Sequence, residues 1–85
     1  MNVIGKVKEL IASRSLAYKQ SFGTEGVAPK IVLKDLAKFC RANETTYNPD
    51  PRIHAVLEGR REVWLRIQNY LKLTPDELWD IYRKD

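Results

Sequence analysis

The interval between Pro51 and Pro75 does most to constrain how this chain can fold. It holds no proline, and Ile53, Val56, Leu57, Val63, Trp64, Ile67, Tyr70 and Leu71 recur at spacings of three and four. Such an interval can run as a single helix of roughly 30 Å at 1.5 Å per residue. Asp50 can accept from the orphan N–H groups of a helix start, and Pro51 suits the first helical position, where a missing N–H has no partner to lose. A helix over 51–71 is therefore predicted. Advancing about 100° per residue from Ile53 gathers these apolar residues into one wide stripe. Arg60 falls near its middle and Arg61 on its margin, so Arg60 is expected to be the buried, structural arginine, with a partner-protein or phosphate contact as the alternatives, and Arg61 a solvated one. Gly59 lowers helix stability, which close approach by another helix would explain.

The same reasoning divides the rest of the chain. Ile4, Val7, Leu10, Ile11 and Tyr18 predict a helix over 3–21, closed near Gly23 by a left-handed glycine. GTEG, residues 23–26, reads as a loop. Pro29 opens a helix over 29–42, whose apolar face carries Ile31, Leu33, Leu36, Ala37, Phe39 and Cys40. The stretch NETTYNPDP after it is a loop, because its side chains compete for the backbone and its prolines extend the preceding residues. In LTPDEL, Thr74 and Glu77 form a capping box around Pro75, and Leu73 with Leu78 forms a hydrophobic staple, opening a helix over 75–83. The fold class is all-α: a small single-domain bundle of about four helices spanning 1–85, in which 1–21 is a basic amphipathic helix able to detach.

Composition narrows the function. With one cysteine, Cys40, and one histidine, His54, an internal disulfide is excluded and too few soft ligands remain for zinc. Cys40 sits on an apolar face where a free thiol acts as a small hydrophobe, and His54 reads as a surface residue, so a nucleophilic pair between them is not expected. Asp76, Glu77 and Asp80 crowd a helix start, where the macrodipole favours them without catalysis. GTEG lacks the lysine of a phosphate loop. No catalytic residue, cofactor or metal is assigned, and an enzyme is not expected. No tract is long and apolar enough to span a bilayer, and Lys6, Lys8 and Glu9 interrupt the N-terminal apolar run that a secretory signal would need. The expected location is the cytoplasm.

The net charge of +4 lies mainly in residues 1–30, with five basic and two acidic side chains. Such a balance permits nucleic-acid contact without requiring it. Residues 33–47 resemble the first helix and turn of a helix-turn-helix, but the prolines of NPDPR stand where the recognition helix should begin. The candidate interaction surface comprises Lys6, Lys8, Arg14, Lys19, Arg52, Arg61, Arg66, Trp79 and Tyr82, since arginine and aromatic side chains anchor interfaces. The structural motif comprises Asp50, Pro51, Gly59, Arg60, Thr74 and Glu77.

Taken in order, the Phe-Gly-Thr loop, LKDLAKFC, the Thr/Tyr loop leading into NPDP, EGRR with its apolar helix, and LTPDELW resemble a family of small tailed-bacteriophage proteins named after an open reading frame of a Bordetella phage. The resemblance covers about Phe22 to Trp79, departs at the longer GVAPK segment, residues 26–30, and leaves the first helix outside. It implies a phage-encoded helical accessory or virion-associated protein that works by binding another protein, in the host cytoplasm or on the virion. Two alternatives stay open: a nucleic-acid-binding accessory using a basic helical surface, and an effector that binds a host protein.

Overall fold

A computed structural model describes residues 3–23 and 26–84; the side chains of Leu78, Ile81, Tyr82 and Lys84 lie outside that description. Among the described residues there are four helices and no strand: α1 (Val3–Phe22), α2 (Val27–Phe39), α3 (Pro51–Lys72) and α4 (Pro75–Lys84). The all-α architecture matches the periodicity of the sequence. The staple partner Leu78 and the loop residues Thr24 and Glu25 fall outside the described set.

The long helix starts as its sequence dictates. Asp50 Oδ1 accepts the Arg52 N–H at 2.9 Å, Pro51 opens the first turn, and Asn48 Oδ1 in turn accepts the Asp50 N–H at 2.9 Å. Two short polar side chains thus convert the extended NPDP backbone into a helix start. At α4 the capping box forms in both directions: Glu77 N–H donates to Thr74 Oγ1 at 3.3 Å, and Thr74 N–H donates to Glu77 Oε1 at 3.1 Å.

The termini of α1 and α2 differ from expectation. Gly23 does not adopt a positive φ. Its role is steric, because a Cβ there would sit 2.8 Å from the Lys19 carbonyl oxygen, which accepts the Gly23 N–H. α2 begins at Val27 rather than residue 29, so Pro29 occupies the third helical position, still within the turn whose N–H groups lack partners. It ends at Phe39 rather than residue 42. Arg41 takes φ 54°, with Arg41 N–H donating to Lys38 O at 3.2 Å and Ala42 N–H to Ala37 O at 2.9 Å. That is the hydrogen-bond pattern usually closed by glycine; an arginine there carries a steric cost of about 1–2 kcal/mol. Composition alone gave no sign of this stop.

The core lies where α1, α3 and α4 meet. Ile11 and Tyr70 are buried against each other, with Val7, Tyr18, Leu73 and Trp79 packed around them. Tyr18 stacks on Tyr70 with ring centroids 4.3 Å apart. α1 runs antiparallel to α3, since Lys8 lies beside Trp79, Tyr18 beside Tyr70, and Phe22 lines a groove with Val63. It contacts each of the other three helices, so detaching it would uncover Tyr70. The outline is flat, 49 × 33 × 14 Å, with a radius of gyration of 15.2 Å. A compact chain of this length would have about 12 Å.

The apolar stripe of α3 is only partly covered. Leu57, Ile67 and Tyr70 are buried, whereas Ile53, Val56 and Val63 are exposed. The wheel does not separate these residues: at about 100° per residue, the exposed Val56 and Val63 fall between the buried Tyr70 and Ile67. What it cannot show is how far along α3 the neighbouring helices reach: the same arc is covered at Ile67 and Tyr70 and left open at Val56 and Val63. Ile4, Leu10 and Ile31, expected on inner faces, are exposed too.

Candidate interaction surface

Residues 40–50 are the longest irregular stretch among the described residues, and they are tied down by one face of α3. His54, Glu58 and Arg61 follow one another at spacings of four and three, which brings all three to the same side of the helix. His54 Nδ1 lies 3.0 Å from Thr46 O, and the buried Thr46 hydroxyl donates to Glu58 Oε1. One Arg61 guanidinium nitrogen donates to both Arg41 O at 3.0 Å and Glu44 O at 3.2 Å. Within the loop, the Arg41 side chain donates to Thr45 O at 3.2 Å, and Tyr47 N–H donates to Thr45 Oγ1 at 3.1 Å. The clamp therefore satisfies backbone groups that an irregular loop would otherwise leave to solvent.

This arrangement corrects the expected roles in EGRR. Arg61, expected to be solvated, is half-buried and holds two carbonyls just past the end of α2. Arg60 is half-buried too, but its guanidinium lies over the Phe39 ring, 4.3 Å from the centroid. The physical reason is the placement of α2: its last turn faces the Arg60 side of α3, while the chain leaving that turn passes the Arg61 side. Gly59 was expected at a helix contact within the domain. It is exposed, and a Cβ built there meets no atom within 4 Å. His54, expected at the surface, is half-buried by the same loop.

The expected basic residues do not converge. At about 100° per residue, Lys6, Lys8, Arg14 and Lys19 are spread around α1 rather than aligned along it. Lys8 lies over Trp79, 5.9 Å from the ring centroid, and Arg66 lies over Tyr70 at 5.5 Å. Arg52 is exposed beside Asp50, with a 3.8 Å separation. Trp79 is half-buried against the core and does not present an open aromatic face, and the Tyr82 side chain is outside the described residues.

A different surface comes together instead. Phe39 is exposed beneath Arg60. Val56 and Val63, each 53% exposed, stand four residues before and three after Arg60 and so neighbour it on the helix. Past Val63 the surface dips into a groove of about 330 Å³ lined by Ala17, Tyr18, Ser21, Phe22, Arg66 and Ile67. Tyr47, 70% exposed, stands near His54 at 6.2 Å between ring centroids. The apolar spacing in the sequence contains this surface but reads as core; Val56 and Val63 share the arc of the buried Ile67 and Tyr70 and differ from them in position along α3.

Fold and surface together define a small all-α domain in which a central helix clamps an irregular loop on one side and leaves an apolar flank open on another. The chain belongs to the Bbp19-like phage protein family, whose model matches residues 18–82. The match takes in the clamp, EGRR and most of α4, and it extends slightly beyond the span on which the sequence resemblance rests. No curated protein and no solved structure matches the chain. Among the described residues, no helix is long and apolar enough to cross a membrane.

Proposed function

We propose that this phage protein acts by binding another protein, without catalysis, through the surface formed by Phe39, Arg60, Val56 and Val63. The observation that carries the reading is the combination of an exposed aromatic ring under an arginine with a neighbouring apolar flank. Aromatic and arginine side chains are the usual anchors of protein interfaces, and contiguous exposed apolar surface is uncommon unless a partner covers it. EGRR enters this function in two ways: Arg60 is part of the surface itself, and Glu58 and Arg61 hold the loop, which fixes the end of α2 and thereby the position of Phe39.

The protein partner is a virion component or a host protein. Proteomics of purified virions separates these forms, and capture by the tagged full chain from infected cells, compared with a Phe39→Ser variant, tests binding itself. Presence at a fixed copy number in virions supports the morphogenesis form. Absence, together with a host protein retained by the native chain and lost by the variant, supports the host-directed form. The nucleic-acid alternative draws on the net charge of +4, but the cations on α1 form no stripe. DNA binding that falls steeply with salt, with no captured protein, would overturn the protein-binding reading.

A further inference from the structure

We infer that the open flank of α3 is covered in solution by the same flank of a second copy of this chain, the two α3 helices crossing at Gly59. This deepens the protein-binding reading and rests on it, because it names a partner for the same surface. The first argument is area. The chain exposes 6544 Å² at a mass of 9.9 kDa, whereas a compact monomer of that mass exposes about 5,200 Å². The excess of about 1,300 Å² exceeds the roughly 800 Å² that a standard interface removes from each partner. One such contact would bring the exposed area most of the way to the value expected for the mass.

The second argument is position. Val56 and Val63 are exposed three residues before and four after Gly59, and all three share one side of α3. Glycine weakens a helix interior, and its usual benefit is close approach by a neighbouring backbone. Among the described residues nothing uses that approach, since a Cβ at Gly59 meets no atom within 4 Å. Charge fits as well. The cations of α1 would repel their copies, whereas α3 carries the exposed Glu62 as well as Arg52 and Arg66 near the flank, so both signs are available at the rim of the contact. A two-fold axis at Gly59 closes the pair, because each copy offers the patch that the other needs.

Sedimentation equilibrium of the full chain across the micromolar range tests this. The expected mass is twice the 9.9 kDa of one chain. Gly59→Leu and Val56→Glu should each weaken self-association at least about tenfold, with the helical circular dichroism signal retained, because both positions are exposed within one chain. A mass that stays at 9.9 kDa, or a dimer that neither substitution weakens, overturns the pairing. A monomer that still retains a captured protein through Phe39 overturns the pairing and leaves the protein-binding reading standing. A dimer disrupted by Gly59→Leu supports the pairing even where capture returns only the chain itself.

Discussion

Replacing Arg61 by alanine removes a charged donor shared by two loop carbonyls, Arg41 O and Glu44 O. The expected loss is about 2 kcal/mol, or a fall of roughly 10 °C in Tm for a domain of this size. Arg60→Ala removes a guanidinium from an exposed ring and should lower stability by about 0.5–1 kcal/mol. Thermal melts of the two variants under one set of conditions check the order, and equal losses would contradict the clamp. Ser15 supplies a change of opposite sign. It is 2% exposed, and its hydroxyl has no hydrogen-bond partner among the described residues. Ser15→Ala removes that buried hydroxyl and substitutes a better helix former, so urea denaturation should show a gain of up to about 1 kcal/mol. The two arginines also mark how far a wheel can be read. It places Arg60 and Arg61 at the right angles, but the chemistry of each depends on which residues of α2 and its following loop arrive opposite.

The helix starts were legible because their signals are local. Asp50, Pro51, Thr74 and Glu77 act on backbone groups within three residues, and the structure shows those bonds formed. Thr74→Ala should therefore weaken α4 by about 1 kcal/mol, seen as faster amide exchange in α4 with little change in the middle of α3. Uniform acceleration through both helices would show instead that α4 opens only with the whole domain. The end of α2 was not legible. Arg41 adopts φ 54° although glycine is the residue usually found in that conformation, and the bonds that hold its carbonyl and side chain come partly from Arg61, twenty residues away. The open flank was hidden for a similar reason: periodicity identifies an apolar arc, whereas coverage depends on how many helices reach it. Val56 and Ile67 have the same pattern in sequence, yet only Ile67 is buried.

Across the molecule, the core cluster joins α1 to α3 and α4, while the loop clamp joins α2 to α3. Ile11→Ala should cost about 2–4 kcal/mol. The unfolding transition should remain single, because α3 passes through both regions and couples them. Resolved separate transitions for tryptophan fluorescence and far-ultraviolet circular dichroism would contradict that coupling. The elongated outline bears on the same issue, since a radius of gyration of 15.2 Å leaves a small core with few layers to absorb a lost side chain. The antiparallel seating of α1 also sets an order of events during synthesis. Lys8 and Ile11 meet Trp79 and Tyr70, which lie about sixty to seventy residues later in the chain. At about 5–20 residues per second, the first helix waits roughly 3–14 s before its partners have been made. During that interval only its contact with α2 can form, so the face that will cover Tyr70 stays open until α3 and α4 follow.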